Sequence, residues 1–215
     1  MSRIVVLDYG ASNLRSVVKA LEYVADNRHE IIVSNQTREV LSADRVVFPG
    51  QGAIGQCMTS LRSQGLDQVI MQCIKTRPFL GICLGLQSLM DNSDEDGGVT
   101  GLGIIPGRVI RFRDQIMDPQ GNVCKIPHMG WNNVNQQLKH PLWRDIEDGT
   151  RFYFVHSYYV VPVDDALRAA TTDYTTTFTS TVARDNIFAT QFHPEKSQRA
   201  GLTLLTNFLT WDGNI

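Results

Sequence analysis

The chain has 215 residues, of which 42% are hydrophobic and 20% charged, with a formal net charge of −2. That length and apolar content suffice for a substantial core in one compact domain, residues 1–215, and a charge so near zero supplies no global field to favour nucleic acid or an anionic membrane. No stretch approaches the roughly 20 uninterrupted apolar residues of a membrane-spanning helix. The start MSRIVVLDYG lacks the charged, apolar and small-residue regions of a secretory signal, so a soluble, cytoplasmic protein is expected. Its four cysteines, Cys57, Cys73, Cys83 and Cys124, form no CxxC pair. They suggest neither a zinc site nor a redox dithiol, and no metal or cofactor is expected.

In chain order, the apolar run RIVVLD precedes a helix predicted from Asn13 to about Val24, with Leu14, Val17, Val18, Leu21 and Val24 at helical spacing. EIIVS reads as a strand before the helix-like TREVLSA. RVVFPG reads as a third strand that breaks at Pro49-Gly50. Helices follow around 54–62 and 66–75, then a strand at RPFLGIC and a helix beginning near Leu84. The strands to this point are continuous β-rich apolar runs, as in a parallel sheet covered on both faces. From about residue 103 strands predominate: GIIPGRVIRF, RFYFVHSYYVVP, LRAATTDY, TTFTSTVAR and NIFATQFHP, several alternating as antiparallel strands do. A last helix over SQRAGLTLLTNFLTW presents Leu202, Leu205, Phe208 and Leu209 on one face. The expected fold is α/β, a three-layer sandwich whose central, mostly parallel sheet carries an added antiparallel portion.

The segment GICLGLQ sets Cys83 between Gly81 and Gly85 at a strand–helix junction. That is the setting of a nucleophile elbow, in which glycines let neighbouring backbone pass close to a strained central residue. The following helix would present its positive end to the sulfur. Of five histidines, His29 and His140 sit in polar, loop-like surroundings that suggest solvation, and His156 beside Phe154 and Val155 suits a core position. His193 ends the run IFATQF, where Pro194 stops the strand. A histidine there projects from a strand end, and Glu195, two residues on, is within reach to fix its tautomer. Cys83, His193 and Glu195 therefore suit the three roles of a catalytic triad.

GICLGLQ with QFHPEKS resembles the signature pair of the class I, triad-type glutamine amidotransferases, and PGQGA at 49–53 resembles their oxyanion loop. The resemblance spans the chain and implies a flavodoxin-like sheet and hydrolysis of L-glutamine through a Cys83 thioester. The oxyanion donors would be the Leu84 N–H and the loop Gly50, Gln51 and Gly52; the family usually has valine where this chain has Gln51. A peptide flip in that loop is thought to answer to partner binding in the family. Gln87, Glu95, Ser157 and Tyr158 are implied as glutamine contacts, Glu95 through the substrate's ammonium.

The chain has no room for a synthase that would use the ammonia, so the acceptor site must lie on another chain. LDYGASNLRS, IPHMGWN and HPEKS resemble the amidotransferase subunits of imidazole glycerol phosphate synthases. Their partner is a TIM-barrel cyclase, which implies a heterodimer with Asn13, Trp131, Tyr153 and Lys196 at or near the docking face. A tryptophan in a polar loop between Gly130 and Asn132 suits an interface anchor. Amidotransferases of other pathways share the chemistry without the PHMGW block. A γ-glutamyl peptidase acting alone and a silent regulatory subunit are the other readings.

Overall fold

The computed structural model describes residues 1–12, 14–114 and 123–214. The first part alternates strand and helix: β1 (Ser2–Leu7), α1 (Leu14–Ala25), β2 (His29–Ser34), α2 (Thr37–Leu41), β3 (Arg45–Gly50), α3 (Ile54–Ser63), α4 (Leu66–Cys73), β4 (Phe79–Cys83) and α5 (Leu84–Gln87). Strands then dominate: β5 (Asn92–Ser93), β6 (Val99–Thr100), β7 (Gly107–Arg111), β8 (His128–Asn133), β9 (Asn135–Gln136), β10 (Arg151–His156), β11 (Tyr158–Pro162), β12 (Arg168–Asp173), β13 (Thr177–Arg184) and β14 (Ile187–Thr190). Helix α6 (Gln198–Thr210) closes the described chain.

The main sheet runs β2-β1-β3-β4-β14-β13-β11-β7-β5-β6, and the stretch from β2 to β14 is parallel. The order on that stretch is the flavodoxin-like one, with β14 as its fifth strand, and it has a switch point beside β1 and β3. From β14 to β13, β11 and β7 the pairing is antiparallel, the added portion that the alternating patterns imply.

Period-2 geometry sends successive side chains of β1 to opposite faces. Ile4 and Val6 join the core under α1 and α6, while Val5 and Leu7 join the core under α2, α3 and α4. Each helix contributes a stripe at helical spacing: Val17, Leu21 and Ala25 in α1, Ile54, Cys57, Met58 and Leu61 in α3, Leu66, Val69, Ile70 and Cys73 in α4. In α6 the core face is Leu204, Leu205, Phe208 and Leu209, with Leu202 only half-buried.

Four sequence expectations change. The helix after Cys83 is a single turn, because the chain tightens into i→i−3 bonds at Leu89 and Met90 (3.1 and 3.2 Å) and leaves the helical path. RFYFVHSYYVVP is two strands in different sheets, β10 pairing with β8 and β11 with β7 and β13. The break at Ser157 is held by Phe112 N–H on the Ser157 carbonyl (3.0 Å) and by the His156 ring on the Tyr158 carbonyl (2.7 Å). PHMGWN is strand β8 rather than a polar loop, with Trp131 opposite Tyr153. His140 is buried between Phe188 and Trp211 (centroids 4.6 and 5.0 Å), and its Nδ1 accepts from Leu142 N–H at 3.1 Å.

Gly85 fixes how closely α5 lies against β3. A Cβ there would stand 2.0 Å from the Phe48 carbonyl oxygen, so Gly85→Ala must push the turn away from the strand. A loss of about 1–3 kcal/mol is expected, the usual cost of overpacking. It is read as a lowered urea midpoint at unchanged slope; an unchanged midpoint contradicts the packing described.

Candidate active site

Three segments meet at the C-terminal edge of the parallel strands, where open α/β sheets carry their sites. The β3–β4 register sets Gly50 opposite Cys83, and the β4–β14 register sets Ile82 opposite Thr190. The loop after β3, the turn after β4 and the chain leaving β14 therefore emerge side by side.

Cys83 has φ 54° and ψ −104°, a conformation that a non-glycine residue holds at a cost of about 1–3 kcal/mol. Its neighbours show how it is held. Besides the Gly85 contact, a Cβ on Gly81 would meet Ala189 Cβ at 2.9 Å, and one on Gly50 would meet Leu84 Cβ and the Tyr9 hydroxyl at 2.6 Å each. The one-turn α5 offers only a weak dipole, so support for a thiolate must come from side chains.

That support lies on the chain after β14. His193 Nδ1 is 2.8 Å from Glu195 Oε1, and both side chains are fully buried. A carboxylate only accepts, so the ring carries its proton on Nδ1 and leaves Nε2 for the sulfur. Nε2 has no hydrogen-bond partner among the other described nitrogen and oxygen atoms. The segment is tied down by its backbone: His193 N–H donates to the Tyr153 carbonyl (2.9 Å), and the buried Ser197 hydroxyl donates to the His193 carbonyl (2.6 Å) while accepting from Tyr153 N–H (3.0 Å).

Beside the sulfur the structure adds Gln191, which sequence reasoning passed over. Its Nε2 donates to Cys83 Sγ at 3.5 Å, and its Oε1 accepts from Gln87 Nε2 at 3.1 Å. The signal was the spacing, because Gln191 and His193 stand two apart at a strand end and so share a side. Gln87 Nε2 also donates to the Tyr158 carbonyl at 3.0 Å, which leaves Oε1 as the free acceptor of Gln87. Ser157 lies beside Tyr158 at the start of β11. Glu95 is half-buried, and its Oε2 accepts from Ile54 N–H (3.1 Å) at the start of α3, next to the loop of Gly50, Gln51 and Gly52. Burial raises its carboxyl, which the Ile54 N–H opposes and the charge of Asp96 reinforces. Gly52, at φ 98°, needs to be glycine.

On the adjoining surface, Trp131 is 37% exposed and meets the Tyr153 ring edge-on (6.1 Å, 75°), while Lys196 Nζ lies 6.0 Å from the centroid of that same Tyr153 ring. Met129, two residues before Trp131 and hence on the same side of β8, is 63% exposed. Three of the four expected interface residues are thus neighbours; Asn13 lies outside the described residues.

The model of the family "Glutamine amidotransferase class-I" matches residues 5–211. The chain belongs to that family. It is 57% identical over 213 residues to the imidazole glycerol phosphate synthase subunit HisH of Nitrosococcus oceani, covering 99% of both chains. To the subunit of the same name from Aromatoleum aromaticum it is 53% identical, covering 98% of this chain and 99% of that one. A solved glutamine amidotransferase structure shares the fold at a TM-score of 0.70, with 15% identity and coverage of 95% and 96%.

In this amidotransferase burial sets two of the four thiols aside. Burial pushes the Cys57 thiol up to about 11 and raises that of Cys73, which keeps both protonated and inert. Burial also opposes the His193 imidazolium, but the charge of Cys83, then the hydrogen bond and charge of Glu195, outweigh it and lift His193 from 6.5 to about 10. The folded value lies above the unfolded one. The stability from protonated His193 is therefore complete below pH 6.5 and fades as pH rises through about 10. NMR titration of the ring is expected to find it protonated at about pH 8, with Cys83→Ala lowering its pKa; a ring already neutral there, or unmoved in the variant, contradicts the pairing.

Proposed function

We propose that the chain is a single glutaminase domain, the amidotransferase subunit of an imidazole glycerol phosphate synthase. The observation that carries this is Cys83, strained at a strand end and facing the buried His193–Glu195 pair. The Cys83 thiolate attacks the side-chain carboxamide carbon of L-glutamine, and the carbonyl oxygen becomes an oxyanion. The Leu84 N–H and the loop of Gly50, Gln51 and Gly52 supply its donors; losing one such donor costs on the order of a hundredfold to a thousandfold in rate. The C–N bond breaks as His193 Nε2 gives its proton to the departing ammonia, leaving a thioester. Neutral His193 then takes a proton from water, hydroxide attacks the thioester carbon, and the thiolate leaves as glutamate forms. Glu195 holds the ring and stabilises its charged form. Gln87, Glu95, Ser157 and Tyr158 bind the amino-acid end of the substrate.

The partner is a TIM-barrel cyclase, bound as a heterodimer in the cytoplasm, which uses the ammonia to make imidazole glycerol phosphate and a purine precursor in histidine biosynthesis. Its docking face takes in Asn13, Trp131, Tyr153 and Lys196, and Met129 extends the patch. A half-exposed tryptophan edge-on to a tyrosine is the kind of aromatic anchor that dominates interface energies. The test is the Cys83→Ala complex. Synthesis from glutamine is expected to vanish while synthesis from ammonia persists, and loss of both contradicts the division of labour.

A further inference from the structure

A buried polar chain that those reaction steps do not use runs from β8 to the glutamine site. His128 on β8 and His156 on β10 face each other in the strand register and are both buried. Asn132 Nδ2 is 3.2 Å from His128 Nε2, His128 Nδ1 is 3.0 Å from His156 Nε2, and His156 Nδ1 is 2.7 Å from the Tyr158 carbonyl oxygen.

Both ends dictate the same proton order. A carbonyl only accepts, so His156 carries its proton on Nδ1 and accepts at Nε2; His128 must then donate from Nδ1 and accept at its own Nε2. The Asn132 amide arrives at the same answer independently. Its Oδ1 accepts from Asn133 N–H (2.8 Å) and its Nδ2 donates to the Asp173 carbonyl (2.8 Å), which leaves a second N–H for His128. Burial pushes His128 down to about 4 and His156 to about 3, so both rings are neutral, as the order requires. The chain continues through the Tyr158 carbonyl, which is shared with Gln87 Nε2, to Gln191 and the Cys83 sulfur (3.0, 3.1 and 3.5 Å).

We propose that His128 and His156, locked as Nδ1–H tautomers, are positioning residues for glutamine. They fix the Tyr158 carbonyl, which accepts one amide proton of Gln87 while Gln191 Oε1 accepts the other, so that Gln87 Oε1 is left to face the substrate. The relay begins at Asn132, beside Trp131, so the strand that bears the docking face and the glutamine pocket share one hydrogen-bonded chain. This rests on the glutaminase reading.

Two measurements test it. In the unmodified chain, nitrogen-15 NMR of the imidazoles is expected to find the proton on Nδ1 of both His128 and His156; a proton on Nε2 of either ring overturns the relay, whatever the activity. The second uses the double variant His128→Phe/His156→Phe in complex with the cyclase. Replacing both partners of a buried bond by apolar rings of similar shape preserves folding. The KM for L-glutamine is expected to rise about tenfold, the value of one lost hydrogen bond, with kcat and ammonia-dependent synthesis nearly unchanged. An unchanged KM in the folded variant overturns the proposal. If the unmodified complex hydrolyses no glutamine, the glutaminase reading fails, and the ring tautomers still decide the relay.

Discussion

The site depends on holding Cys83 at a positive φ at the end of β4. That conformation costs about 1–3 kcal/mol, and it persists because its surroundings leave no alternative. Phe79, Leu80 and Ile82, just upstream, are wholly buried, and each such side chain gains roughly 1.5–3 kcal/mol by leaving water. The sum exceeds the strain, so the strand will not unseat itself to relax one residue. Gly81, Gly85 and Gly50 then let β14, β3 and the turn close in to distances that any Cβ would forbid. The strain is thus converted into a fixed direction for the sulfur.

The second constraint is the company of His193. A buried imidazolium is unfavourable by itself, and it exists here only because a sulfur and a carboxylate flank it. Sequence position had suggested the positive end of a helix as the source of thiolate stabilisation. The helix proves to be one turn long, which transfers that work to His193 and to the Gln191 amide. Charge pairing in a dry site is also the stronger device, because two charges in contact at low dielectric outweigh the fraction of a charge at a helix end.

What could be read from the sequence was set by local patterns. The parallel strands and the helices over them were legible because burial on both faces writes continuous apolar runs and helical stripes. Cys83, His193 and Glu195 were legible because punctuating residues, Gly81, Gly85 and Pro194, mark the strand ends. The break at Ser157 was not, since the two bonds that hold it come from Phe112, just past the end of β7, and from a ring that folds back on its own chain. Strand β8 reads as a loop because Gly130, Asn132 and Asn133 dilute its pattern, and pairing with β10 overrides that local preference. The His128–His156 pair was hidden for the same reason: its role exists only across strands.

The central claim is that one thiol of four is the nucleophile and that its reactivity is directed at the glutamine carboxamide. It is tested most directly by exposing the complex to a glutamine analogue that carries an electrophilic carbon in place of the side-chain amide, then mapping adducts by mass spectrometry. The account predicts one adduct, on Cys83, with Cys57, Cys73 and Cys124 unmodified and glutamine protecting in competition. An adduct on another cysteine, or loss of glutaminase activity with Cys83 untouched, contradicts it.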